Sequence, residues 1–169
     1  SKNAFMLGYS RGGLVTALAL QRGAPVNAAA VVGGLFDLTA LARVRPEIEM
    51  LAAGALPGMP SNVALKTLSA VEWPERIGVP LLLLHGGADG VLDAGSQSLA
   101  FARALQDRKK PYSVVVYEGD THGLTFNAAD RDQRILEWFA RHRNAGSPPS
   151  DAPTTNATPT NPSSRGVPR

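Results

Sequence analysis

The sequence predicts an α/β fold in which a mostly parallel sheet carries flanking helices. Strand-sized apolar runs alternate with stretches of helical period along most of the chain, and several of those runs end in glycine. That alternation implies right-handed crossovers and a sheet covered on both faces. In such sheets ligands bind beyond the carboxyl ends of the strands, so the loops that follow the strands are where chemistry is expected.

Each element has its own signal. Ala4 to Gly8 is a short apolar run closing on a glycine turn and reads as a buried strand. From Gly12 the period becomes helical, with Leu14, Ala17, Leu18 and Gln21 in phase, Gly23 as a stop and Pro25 beyond it. Ala28 to Val32 is a second buried strand ended by Gly33 and Gly34. Residues Asp37 to Ala70 hold short helical pieces broken by Pro46, Pro57, Gly58 and Pro60, an irregular insert rather than one long element. Pro80 to Leu84 is the strongest strand signal, bounded by proline before and Gly86-Gly87 after. Ala94 to Asp107 is an amphipathic helix with Leu99, Ala102 and Leu105 on one side. Tyr112 to Tyr117 is rich in β-branched residues and reads as a fourth strand. Arg131 to His142 is a closing helix with Ile135, Trp138 and Phe139 facing inward. Residues 1–143 therefore form one domain. Residues 144–169, rich in Pro, Ser, Thr and Asn and nearly free of large apolar side chains, read as a disordered tail. Asn156-Ala-Thr158 within it fits the short and common N-glycosylation pattern.

Composition narrows the function classes. Of 169 residues, 44% are hydrophobic, enough for a core. The net charge of +3 is small and its lysines and arginines are scattered without interleaved aromatics, so no nucleic-acid groove is expected. No apolar run approaches the roughly 20 residues of a membrane helix. With no cysteine, disulfides, thiolate catalysis and cysteine-ligated metal are excluded. No metal or cofactor is implied.

Gly8-Tyr9-Ser10-Arg11-Gly12 matches G-x-S-x-G between a predicted strand and a predicted helix, the context that gives the motif meaning. A serine on that sharp turn is lifted above the sheet edge, and Gly8 and Gly12 allow strand and helix to approach. The N–H of Arg11, at the helix start, is positioned to serve as an oxyanion donor. A serine nucleophile needs a base, and the base needs an orienting acid, in the chain order serine, acid, histidine for this fold. His122, in the loop after the fourth strand, is the candidate base. His85 ends a buried strand and reads as structural, while His142 closes the last helix. Two carboxylates follow strands, Asp89 after the third and Asp37 after the second, and topology leaves both open, with Asp89 preferred. Asp93 reads as the cap of the next helix. Glu118 and Asp120 read as polar loop groups.

Three segments together, Leu7-Gly-Tyr-Ser-Arg-Gly-Gly13, Pro80-Leu-Leu-Leu-Leu-His-Gly-Gly-Ala-Asp89 and Tyr117-Glu-Gly-Asp-Thr-His-Gly123, resemble the catalytic domain of the prolyl oligopeptidase family of serine peptidases, from about Asn3 to Arg143. The resemblance implies the C-terminal half of an α/β-hydrolase fold, with Ser10, Asp89 and His122 as the triad, and it lowers Asp37. It implies a peptide or small ester substrate. It also implies an N-terminally truncated domain, whose missing half would supply further strands and the second oxyanion donor. A carboxylesterase of the same fold, or a non-catalytic fragment, are the alternatives.

Overall fold

The computed structural model describes residues 3–144. The expected tail lies outside the described residues except for Asn144, as does the Asn156-Ala-Thr158 pattern. Four parallel strands, β1 (Phe5–Tyr9), β2 (Ala28–Val32), β3 (Leu81–Gly86) and β4 (Tyr112–Tyr117), form one sheet in the order β1-β2-β3-β4. The register sets Tyr9 beside Val32, Val32 beside Leu84, and Gly86 beside Tyr117. The carboxyl ends thus align along one edge, and the loops after all four strands open onto it.

Helix α1 (Arg11–Gln21) follows β1. The insert after β2 is α2 (Leu38–Ala42), α3 (Glu47–Ala55) and α4 (Ser61–Leu68), leading through two 3₁₀ turns to β3. A π-helical turn (Gly95–Leu99) runs into α5 (Ala100–Asp107) before β4, and α6 (Ala128–Arg141) closes the domain. The two-residue period of buried strands sorts the core into two layers. Ala29, Val31, Leu81 and Leu83 pack with Ala17, Leu20, Phe36, Phe101 and Leu105 on one face. Ala28, Ala30, Val32, Leu82 and Leu84 pack with Ile135 and Trp138 of α6 on the other. The Trp138 indole N–H also donates to the Ala29 carbonyl at 3.1 Å, locking α6 over the sheet centre. A third cluster unites α2, α3 and α4 with Leu92 of the loop after β3.

The expected strands all form, with bounds shifted by a residue or two. Two expectations change. Leu99 is not on the inner face of its helix but 43% exposed, because the π turn inserts a residue and rotates the phase, burying Gln97 and Ser98 in its place. The second motif glycine, Gly12, has open space where a Cβ would stand. The close approach is made by Gly13 instead, where a Cβ would lie 2.5 Å from Val31 Cγ1 and 2.8 Å from Gly34 Cα. Helix α1 packs on β2 through that gap. Gly13→Ala is therefore expected to destabilise the domain by about 1–3 kcal/mol through overpacking, whereas Gly12→Ala leaves its stability nearly unchanged; urea unfolding of the two variants checks this.

Candidate active site

The turn after β1 carries the first candidate side chain, Ser10. Ser10 has φ 53° and ψ −119°, a backbone state that L-residues rarely adopt. Its amide donates to the Val32 carbonyl at 2.9 Å, so the sheet's own hydrogen bonding holds the turn in place. Gly8 makes the turn sterically possible, since a Cβ there would stand 2.5 Å from Thr16 Oγ1 and 2.6 Å from the Gly12 carbonyl oxygen. Arg11 begins α1, whose first amides have no partner within the helix and face the same edge as Ser10.

Asp89 lies in the loop after β3 with its side chain fully buried. Its Oδ1 accepts from the amides of Val91 at 2.8 Å and Leu92 at 2.9 Å. Its Oδ2 lies 2.7 Å from His122 Nδ1. Burial pushes this carboxyl up, but the hydrogen bonds from Leu92, His122 and Val91 together outweigh it and hold Asp89 below the ordinary carboxylate value. An ionised carboxylate can only accept, so His122 Nδ1 carries the proton and Nε2 is left as an acceptor. That nitrogen lies 2.8 Å from Ser10 Oγ. One hydrogen-bonded chain therefore runs from Asp89 through His122 to Ser10, across three loops far apart in sequence.

Asp37, the competing carboxylate, is elsewhere. It caps α2, accepting from the Ala40 amide at 2.8 Å. Asp93 accepts from the Ser96 amide at 2.7 Å at the start of the π turn, in keeping with a cap.

The loop that carries His122 is built more deliberately than its sequence suggests. Asp120, read from sequence as a polar loop group, is fully buried. It gathers the amides of Thr121, Phe126 and Asn127 and the Asn127 side-chain amide, at 2.8 to 3.4 Å. Burial pushes its carboxyl up, and these donors together pull it below the ordinary value. Arg131 Nη1 donates to the Gly123 carbonyl at 2.8 Å, and Leu124, at φ 51° and fully buried, anchors the turn beyond. Two amides after β3 donate across to this loop, Gly87 to the Tyr117 carbonyl at 2.7 Å and Ala88 to the Asp120 carbonyl at 2.9 Å. The loops bearing Asp89 and His122 are thus tied together. Gly33, at φ 53°, faces His122 from β2, where a Cβ would meet its carbonyl oxygen and ring at 3.1 to 3.2 Å. Tyr9 flanks the imidazole on the other side, with ring centroids 5.3 Å apart.

Beside Ser10 opens a cleft of about 480 Å³, with Leu35, Leu41, Ile48, Leu51 and Leu92 among its lining. Arg11 and Arg45 also line it, and among the described residues no carboxylate does. The insert supplies Leu41, Arg45, Ile48 and Leu51. Among the described residues no group of three or more His, Cys, Asp or Glu side chains could hold a metal ion.

The profile of the prolyl oligopeptidase family matches residues 1–146. No curated protein matches the chain. Among solved structures, a puromycin-hydrolyzing peptidase of Mycobacterium tuberculosis is 28% identical with a TM-score of 0.67, over 84% of this chain and 22% of that one. Acylaminoacyl peptidase of Pyrococcus horikoshii is 23% identical with a TM-score of 0.69, over 87% and 25%. An acetyl ester-xyloside bifunctional hydrolase of Caldicellulosiruptor lactoaceticus is 20% identical with a TM-score of 0.64, over 80% and 55%. The chain spans about a quarter of the length of the peptidases it matches.

The Asp120 clamp has a pH signature. A carboxylate held below its unfolded value stabilises the fold above the unfolded pKa, and that contribution is lost as pH falls through the lower, folded value. Asp120→Asn is expected to unfold at lower urea than the unsubstituted chain at neutral pH. The gap should narrow as pH is taken down through the carboxylate range; a gap that stays constant with pH would show that the charge of Asp120 is not what the loop uses.

Proposed function

We propose, from the premise that the chain belongs to the prolyl oligopeptidase family, that it carries the triad of a serine hydrolase that cleaves peptide bonds through an acyl-enzyme on Ser10. The observation that carries this reading is the Asp89–His122–Ser10 chain, with contacts of 2.7 Å and 2.8 Å. His122 Nε2 takes the Ser10 proton as Oγ attacks the carbonyl carbon, and Asp89 stabilises the imidazolium that forms. The Arg11 amide donates to the developing oxyanion. His122 then gives the proton to the leaving group, the acyl-enzyme forms, and a water deprotonated by His122 releases the acid and restores Ser10.

The second oxyanion donor belongs, on this reading, to a further segment that docks along β1. Two observations support that. Among the described residues β1 pairs only with β2, and Leu7 and Tyr9 on it are 56% and 53% exposed, an apolar edge that proteins ordinarily cover. An esterase activity of the same triad is the second reading, favoured by the likeness to the acetyl ester-xyloside hydrolase. The chemistry up to the acyl-enzyme is shared by both.

Labelling with a fluorophosphonate probe tests the nucleophile. The chain is expected to label, Ser10→Ala to lose labelling entirely, and Asp89→Asn to slow it by roughly ten-thousandfold, since the wrong imidazole tautomer then faces Ser10. Absence of labelling in a folded chain would remove it as a free-standing enzyme. The cleft makes a second forecast. With an apolar floor and two arginines, it should accept acyl groups with apolar side chains and disfavour cationic ones. Paired p-nitrophenyl esters with leucyl-like and lysyl-like acyl groups should differ in kcat/KM by tenfold or more, about 1.4 kcal/mol.

A further inference from the structure

His85 ends β3 with no exposure to solvent, and its ring meets three polar groups. Nδ1 lies 2.7 Å from Ser98 Oγ. Nε2 lies 3.0 Å from the Leu92 carbonyl oxygen and 3.0 Å from Asp89 Oδ2. The carbonyl and the carboxylate can only accept, so a bare Nε2 would set a lone pair against two oxygens. The proton must stand on Nε2. Nδ1 is then an acceptor, and Ser98, a hydroxyl that rotates to suit, donates to it. The directed hydrogen bond from Nε2 goes to Leu92, while Asp89 Oδ2 sits beside the same polarised N–H.

We propose that His85 is a positioning residue for Asp89, with a proton on Nε2 and Ser98 donating to Nδ1, and that it fixes both the Asp89 carboxylate and the Leu92 backbone that clamps it. The proposal rests on the triad reading above for its catalytic consequence, though not for the tautomer. Three loop features converge on one carboxylate. The Leu92 amide donates to Oδ1, the Leu92 carbonyl is tied to His85, and the His85 N–H lies against Oδ2, the oxygen that holds His122. A doubly protonated His85 would put a buried cation beside Asp89 and draw its charge away from His122.

The π turn is what delivers Ser98. By rotating the helical phase it buries two successive polar side chains. Ser98 goes to His85. Gln97 accepts from the amides of Phe36 at 2.8 Å and Asp37 at 2.9 Å and donates to the Asp37 carbonyl at 3.0 Å, holding the loop after β2. One turn therefore fixes the loops after both central strands.

The test separates donor position from mere packing. In His85→Gln the side-chain amide can reach the place of Nε2 and still donate toward Leu92 and Asp89. In His85→Asn the shorter amide reaches only the place of Nδ1, keeping the Ser98 contact and losing the donor. Fluorophosphonate labelling is expected to slow by roughly ten- to a hundredfold in His85→Asn, the scale of a small misplacement of a reacting group, and to stay within about threefold of the unsubstituted chain in His85→Gln. The low-field His122 Nδ1–H resonance should move in His85→Asn and hold in His85→Gln. Nitrogen-15 shifts of the His85 ring at neutral pH should show Nε2 protonated and Nδ1 bare. A doubly protonated ring or the Nδ1–H tautomer overturns the proposal, as does equal slowing in both variants at matched stability. Should the unsubstituted chain fail to label, it is removed as a free-standing enzyme, and the ring spectrum with the His122 resonance decides the His85 proposal by themselves.

Discussion

Everything at the sheet edge is arranged around a single buried carboxylate. Asp89 has no solvent to neutralise it, so each of its oxygens has to be met by donors from the protein. Two backbone amides serve Oδ1, and two histidine rings approach Oδ2. That requirement dictates the loop after β3, which must turn back within three residues to present the amides of Val91 and Leu92. It also dictates the tautomer of His122, and through it which nitrogen faces Ser10. A carboxylate left in water would orient nothing. It is burial that makes the donors obligatory and therefore gives the ring one orientation.

Alignment of the strand ends converts this local demand into a site. Because all four strands run parallel and in close register, the loops after β1, β3 and β4 rise from the same edge. The loop that carries His122 lies directly against the end of β3. A Cβ at Gly86 would collide with the carbonyl oxygens of Asp120 and Thr121, so the absence of a side chain there sets how closely the loops of Asp89 and His122 can pack. The crossed hydrogen bonds from Gly87 and Ala88 use that proximity. The strained backbone of Ser10 is tolerated for the same reason. Its amide completes the pairing of β1 with β2, so relaxing the turn would cost a sheet hydrogen bond.

Much of this was legible in the sequence because it follows from order along the chain. Strand, glycine and polar residue recur four times, at Ser10, Asp37, Asp89 and His122, and a parallel sheet places the loops that carry them along one edge whatever lies between. Topology prefers Asp89 to Asp37 on that basis but leaves both open. Both follow buried strands, and what separates them is that Asp37 spends its carboxylate on the Ala40 amide while Asp89 faces His122. Asp120 was underrated because its partners, Phe126 and Asn127, are ordinary loop residues until the turn at Leu124 folds them back. Gly12 looked essential as part of the motif, but steric need lies one residue later, a distinction that depends on where Val31 and Gly34 stand. The phase error at Leu99 has the same origin, since an amphipathic pattern assumes 3.6 residues per turn and the chain departs from it for one turn.

That departure is costly, which argues for its purpose. The π turn leaves a leucine 43% exposed and buries a glutamine and a serine, each of which needs partners. A regular helix with Leu99 inward would bury more apolar surface. The polar pair is tolerable because its bonds are made: Gln97 meets the amides of Phe36 and Asp37 and the Asp37 carbonyl, which also accepts from Leu41, and Ser98 meets Nδ1 of His85. These groups belong to the loop after β2, which flanks the cleft, and to His85 on β3, which ties the loop that carries Asp89. Apolar packing could fill the same space, but it has no direction and would leave both loops free to choose among conformations. Hydrogen bonds to a backbone amide and a ring nitrogen have direction, and in a dry interior the alternative to making them is an unpaired dipole. The fold therefore gives up apolar burial at this turn and gains a fixed geometry at the sheet edge, where the chemistry proposed for Ser10 needs its partners held in position.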